Sequence, residues 1–218
     1  KRGADMAARH WNGNTALHEA ARTGELDLIR WFIAHGSDVN ATNDSGEGPV
    51  VEAATMGHFE AVWLLVNASA SIGEHGSSGA NSLVMSAVRH QQVELLDHMQ
   101  ARGVDVAQSS QYAATPLVEA VRAGDTRTID WLLAHGANVS AKGDEHGETP
   151  LAAAAYAGHF EVMWKLHEAG ASLHDTNDMG GTPLFSAVRR AAVASAAQQR
   201  TQRSKRSSEH SAAACGGA

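Results

Sequence analysis

The sequence predicts an all-α solenoid of stacked helix-turn-helix units joined by short, β-hairpin-like turns, and three observations carry that prediction. The first is a repeat. Thr15, Thr115, Thr149 and Thr182 open equivalent segments, successive units being offset by 33 or 34 residues. A fixed period of 20–50 residues is the signature of a repeat architecture. The second is punctuation. Pro116, Pro150 and Pro183 follow three of those threonines; Gly24, Gly57, Gly124 and Gly158 come about nine residues after the starts, and Gly36, Gly103, Gly136 and Gly170 twelve residues later again. The third is length. Helices of eight or nine residues do not persist alone in water, so each unit must bury its apolar face on a neighbour.

Each unit reads the same way. Threonine before proline is an N-cap followed by a ring-locked first helical position. In TPLVEAVRA (115–123) a short helix then places Leu117, Ala120 and Val121 on one face. Gly124 ends it in a left-handed turn. A second helix, Thr126–Ala134, carries Ile129, Leu132 and Leu133 at helical spacing and closes at Gly136. The chain then runs extended through Ala137-Asn138-Val139 into a polar turn. The extra residues of the longer repeats fall in such turns, where an insertion costs little.

The strings TALHEAARTGELDLIRWFIAHGSDVNA (15–41) and TPLAAAAYAGHFEVMWKLHEAGASL (149–173) resemble the ankyrin repeat motif for motif. On that resemblance five full repeats are expected at 9–41, 42–74, 75–107, 108–141 and 142–175. A partial sixth repeat and capping helix follow at 176–200, then a basic and Ala/Gly-rich tail at 201–218 expected to lack structure. Lys1–Ala8 matches the end of a preceding unit, so further repeat sequence is expected upstream. Two units depart from the pattern. The second has Gly48-Pro49-Val50-Val51 at the opening and Ser69 at the closing glycine; the third has Ser82-Leu83-Val84-Met85 and Gln91. A non-glycine residue held left-handed costs about 1 kcal/mol, so these two repeats are expected to be the least stable.

Charge narrows the classes of partner. The formal net charge is −7, but residues 1–188 hold 11 Lys/Arg against 23 Asp/Glu, whereas residues 189–218 hold six against Glu209 alone. Phosphate binding needs a basic face, which makes nucleic acid a poor partner for the repeats. No apolar run approaches the roughly 20 residues of a membrane span. The single cysteine, Cys215, agrees with a reducing, cytoplasmic setting.

Thirteen histidines invite a metal or catalytic reading, but five are explained by repeat position. His18 is the fourth residue of TALH, where the resemblance implies an imidazole bonded to neighbouring turns; His58 and His159 follow a helix-ending glycine, and His35 and His135 precede a closing one. There is no HExxH or Cys/His spacing for zinc, no GxSxG elbow, and no phosphate loop in Gly73–Asn81, which the register makes an inter-repeat turn. No catalysis, cofactor or metal is expected.

The resemblance implies instead a concave groove made by turn tips and first-helix faces, binding another protein. The tips supply Trp11, Asn12 and Asn14; Asp44, Ser45 and Glu47; Gln111 and Tyr112; Glu145, His146 and Glu148; Asp178 and Met179. The first helices supply Glu19, Glu52, Ser86, Glu119, Ala153 and Ser186, with Arg22, Thr55, Arg89, Arg122, Tyr156 and Arg189 three residues on. That spacing puts each pair on one face. The acidic and arginine rows either pair with each other or leave the arginines to take carboxylates of an extended partner. Trp11 and Tyr112 are the stronger candidates, because large amphipathic rings are enriched in binding hot spots. On the outer side, Trp63 and Trp164 fall where Arg30, Asp97 and Asp130 stand in other repeats, so both are expected to be exposed as a second docking surface. Trp31 and Trp131, one residue later, are expected to be half-buried. The function expected is that of an adaptor or scaffold; the alternatives are a fixed subunit of a large assembly and the substrate-selecting segment of a larger enzyme.

Overall fold

The computed structural model describes residues 6–73, 78–107, 115–143 and 146–193, with the backbone alone at 78–80. Its described residues form eleven α-helices: α1 (Ala16–Thr23), α2 (Leu26–Ala34), α3 (Pro49–Thr55), α4 (Phe59–Asn67), α5 (Ser78–Arg89), α6 (Val93–Ala101), α7 (Pro116–Ala123), α8 (Thr126–Ala134), α9 (Pro150–Ala157), α10 (Phe160–Glu168) and α11 over 183–193. Two compact units contain them, Lys1–Asn138 and Val139–Ala218.

In the first unit the helices pair as hairpins, α1 with α2 through α7 with α8. First helices stack on first helices, α1 on α3, α3 on α5 and α5 on α7, while α2 lies on α4 and α6 on α8. Small residues make that approach close. Ala20, Ala21, Ala53, Ala54, Ala87 and Ala120 are all buried between first helices. The larger core side chains are Leu17, Ile29, Leu65, Leu83, Leu95, Leu96, Leu117, Ile129 and Leu132, each essentially inaccessible. Full burial of one such side chain stabilises by about 1.5–3 kcal/mol. In the second unit α9 packs on α10, burying Leu151, Val162 and Leu166.

The helix starts follow the threonines. Thr115 Oγ1 accepts from Val118 N (3.1 Å), Thr149 Oγ1 from Ala152 N (3.2 Å) and Thr182 Oγ1 from Phe185 N (3.3 Å). Thr15 uses its neighbour: its backbone N–H donates to His18 Nδ1 at 3.1 Å, and its hydroxyl meets the same nitrogen at 2.9 Å. Glycines 24, 124 and 158 end their helices with φ near +75°. Ser69 (φ 69°) and Gln91 (φ 58°) take the same left-handed conformation without being glycine.

One expectation fails here. Gly73–Asn81 is not wholly a turn, because α5 already begins at Ser78, five residues before the register of the other first helices. Proline disfavours a helical residue before it, and Leu83 stands where Pro49, Pro116, Pro150 and Pro183 stand in other units. The threonine that caps α1 without proline is replaced by Ser82, so nothing stops the helix at 82. Ser82 is correspondingly free of capping, and its hydroxyl donates to Glu47 Oε1 at 2.8 Å.

The turns are hairpin-like, as expected. His10 N donates to Asn14 O, Asn43 N to Glu47 O and Asn177 N to Gly181 O, at 2.8–3.0 Å, and Gly143 and Glu148 form an antiparallel bridge. Neighbouring tips are stitched by Asp44 N to Asn12 O in the first unit and Asp178 N to His146 O in the second. A side chain at Gly13 would strike Asp44, so this approach requires glycine there.

Candidate partner-binding face

The turn at 10–14 and the helices behind it form an open cleft of about 780 Å³ in the first unit. Arg9, His10, Trp11 and Asn12 make its rim; Asn14, Glu19, Arg22 and Glu52 make its floor. Trp11 is 83% exposed and its ring leans on His10, centroids 5.6 Å apart. The hairpin turn holds the ring outward, because the flanking backbone is spent on closing the turn. Asn14 is only 3% exposed; its Nδ2 donates to Glu19 Oε1 at 3.1 Å, while its Oδ1 is buried without a partner.

Three carboxylates crowd this end. Glu19 accepts from Asn14 and from Arg22 Nε (2.8 Å), which hold its carboxyl below the usual range. Glu52 is half-buried and has only amides as hydrogen-bond partners among the described residues, Asn43 Nδ2 at 3.3 Å and Asn14. Burial, then the nearby Glu47 charge, push its carboxyl up. Glu47 takes the Ser82 hydroxyl. The floor thus presents more negative charge than its cations neutralise.

Further along, the rows pair with each other. Arg22 meets Glu19 within its own helix, and Arg89 Nε meets Glu119 Oε1 across repeats at 2.7 Å. Arg122 is exposed at the end of α7, Thr55 Oγ1 lies 3.4 Å from Ser86 Oγ, and Asp44 is exposed at its tip. In the second unit His146, Tyr156 and Arg189 are each exposed, Tyr156 at 44%. Tyr112, Gln111 and Glu145 lie outside the described residues, as does the tail at 201–218. The structure therefore brings together Trp11, Asn14, Glu19, Arg22 and Glu52, with Glu47 adjoining. Sequence reasoning missed Arg9 and His10 at the rim, and Asn43 and Ser82 behind it. Asn43 left a signal: asparagine three residues before glycine marks a turn, and here its Oδ1 accepts from Ser45 N and Glu47 N at 3.0 Å, freeing its amide for Glu52. Ser82 left none, since its partner is 35 residues away.

A family model of ankyrin repeats, in three copies, matches residues 2–75 and 84–177. The chain belongs to the ankyrin-repeat family. Ankyrin repeats are in general protein-interaction modules and typically not catalytic. Among curated relatives, an L-asparaginase of Dirofilaria immitis is 27% identical over 165 residues, 76% of this chain and 28% of that protein. The putative palmitoyltransferase ZDHHC13 of Danio rerio is 28% identical over 173 residues, 78% of this chain and 26% of that protein. The chain spans under a third of the length of either relative. Among solved structures, the human ASB11 ankyrin repeat domain superposes with a TM-score of 0.72 at 26% identity, over 85% of this chain and 82% of that one. The ankyrin repeat domain of Bcl-3, at TM-score 0.63 and 24% identity over 84% and 81%, shares the fold.

The outer side of the ankyrin stack departs from expectation at two tryptophans. Trp164 is exposed (64%), beside Phe160, but Trp63 is half-buried, because His98 of the next repeat meets its ring edge-on at 5.5 Å. Trp31 is more open than expected, 48% exposed, and stacks on His35 of its own helix at 4.1 Å. Trp131 is half-buried as expected; it stacks on His135 at 3.9 Å and donates from Nε1 to Asp97 Oδ1 at 2.5 Å. In both stacked pairs the histidine Nδ1 also bonds the tryptophan carbonyl, at 2.7 and 2.8 Å. Several of the described histidines join neighbouring turns and helices. His18 is fully buried; its Nδ1 accepts from Thr15 N, so Nε2 carries the proton donated to Glu47 O at 3.1 Å. Burial is the main cause that lowers its pKa. His58 and His90 lie over the helix-ending Gly24 and Gly57 of the preceding repeats. Among the described residues no three His, Cys, Asp or Glu are grouped to hold a metal, and no helix is long and apolar enough to cross a membrane.

Proposed function

We propose that this chain is an adaptor or scaffold that holds a partner protein at the cleft beneath its first turn. Trp11 is the observation that carries the reading. A large amphipathic ring left 83% exposed at the mouth of a cleft contributes little to folding, and such rings dominate binding hot spots. The self-paired arginines leave Arg22 and Arg89 as scaffolding of the face rather than as receptors for a partner's carboxylates. The test is retention of a partner from a native extract on the immobilised full chain. Trp11→Ala should release it and Trp164→Lys should keep it; retention undiminished by Trp11→Ala would overturn the reading.

A second reading has one observation in its favour. Two of the relatives are named as enzymes, and this chain spans 28% and 26% of their lengths. The repeats would then select a substrate protein for a catalytic domain elsewhere in a longer chain, through the same cleft.

A further inference from the structure

The floor of the cleft carries two carboxylates, Glu19 and Glu52, against one guanidinium, Arg22. Glu52 is half-buried; its hydrogen-bond partners are neutral amides, and the Arg22 guanidinium, which already pairs with Glu19, offsets its charge only in part. The floor's one guanidinium, Arg22, is bonded to Glu19 and reaches Glu52 through its charge alone, so one cation faces two carboxylates. The other guanidinium at the rim, Arg9, donates to the Thr42 carbonyl at 2.8 Å. Asn14 supplies an independent sign of a missing group. It is 97% buried from solvent, lines the cleft between the two carboxylates, and its Oδ1 has no donor. A buried acceptor without a partner costs about 1–3 kcal/mol, and here it stands beside two carboxylates that share one guanidinium. Above this floor lies the exposed face of Trp11, whose π-system attracts a cation. An anion would meet repulsion from the floor, and an apolar group would strand the acceptors further.

On the reading that the cleft binds a protein, we propose that it recognises a cationic side chain, arginine or lysine, on an extended segment of the partner. The charge sits against the Glu19 and Glu52 carboxylates, and Trp11 covers the apolar stem and the flank of the cation. Guanidinium, with five N–H donors in a fixed fork, satisfies two carboxylates and an amide oxygen at once; an ammonium offers three donors. The acidic body of the chain, 11 Lys/Arg against 23 Asp/Glu through residue 188, draws such a partner in and repels nucleic acid and anionic surfaces. The charge of the partner is thereby the reverse of the one the arginine row suggested.

A displayed library of random twelve-residue peptides, selected on the full chain, tests this directly. The expected result is enrichment of peptides that share an arginine or lysine at one position. By fluorescence anisotropy, Trp11→Ala and Glu52→Gln should each weaken a selected peptide about tenfold, as should replacing its arginine by citrulline. Glu94→Gln, on the second-helix side, should change nothing. Thermal unfolding of Glu52→Gln should occur no lower than for the parent chain, which separates lost binding from lost fold. Selected peptides that depend on Trp11 but carry no common cation, or that bind Glu52→Gln undiminished, overturn the cation and leave the cleft as a protein site. Peptides indifferent to Trp11, or no enrichment over an unrelated bait, overturn both.

Discussion

The α1–α2 and α7–α8 units and the α3–α4 and α5–α6 units have one shape and different means of holding it. In the first pair, threonine opens each unit and glycines close both helices. In the second pair, neither unit opens on threonine, and Ser69 and Gln91 occupy closing positions. Yet Ser69 and Gln91 sit at φ 69° and 58°, close to the 73° of Gly24 and 71° of Gly124. The left-handed conformation thus belongs to the place in the stack, where the next helix must turn back on the last. Glycine makes it cheap; other residues are forced into it by the packing on either side. The N-terminal positions show the opposite behaviour. Remove the Thr-Pro pair and the helix runs on, as α5 does from Ser78. A turn clamped by two packed helices tolerates a poor residue, whereas a helix start without its threonine and proline is not held to its register.

The largest expected effect is at the threonine cap of α1, which His18 braces and which neither unit of the second pair has. His18→Ala should destabilise the chain by about 2–4 kcal/mol in urea unfolding, since it empties a buried site and leaves the Glu47 carbonyl and Thr15 N–H without partners. The same imidazole gives a pH signature. Its native pKa is lowered from 6.5, so the native state binds fewer protons than the unfolded chain just below that pH. Its contribution is complete above pH 6.5 and is lost as pH falls toward the lowered native value. His18→Ala should remove that part of the pH slope.

The next effect addresses the clamped turns. Gln91→Gly and Ser69→Gly should each stabilise by about 1 kcal/mol, with Gly124→Ala destabilising by at least as much. Native-state hydrogen exchange should be faster in α3–α6 than in α7–α8. Slower exchange there, or no gain from either glycine, would mean that packing has already absorbed the strain. The smallest effect is at Arg89 and Glu119. Both side chains are partly exposed, and breaking the pair with Arg89→Gln should cost under about 1 kcal/mol.

Much of this molecule was legible from residues a few positions apart. Thr115-Pro116, Gly124 and Gly136 placed α7 and α8, and Thr149-Pro150 placed α9, because caps and left-handed turns act within one helical turn. The cleft was legible in part. Trp11, Asn14, Glu19, Arg22 and Glu52 follow from repeat register alone, since equivalent positions share a face. Their pairing did not follow. The partner of Ser82 is 35 residues away, that of Arg89 is 30, and the ring that covers Trp63 comes from the next repeat. A side chain's own register says which face it occupies, while what it meets there is chosen by the facing side chain of the neighbouring unit. So the repeat, its helices and their exposed faces were settled by local chemistry along the chain. The covered Trp63, the self-paired arginines and the amide-held Glu52 were decided only when one repeat packed on the next.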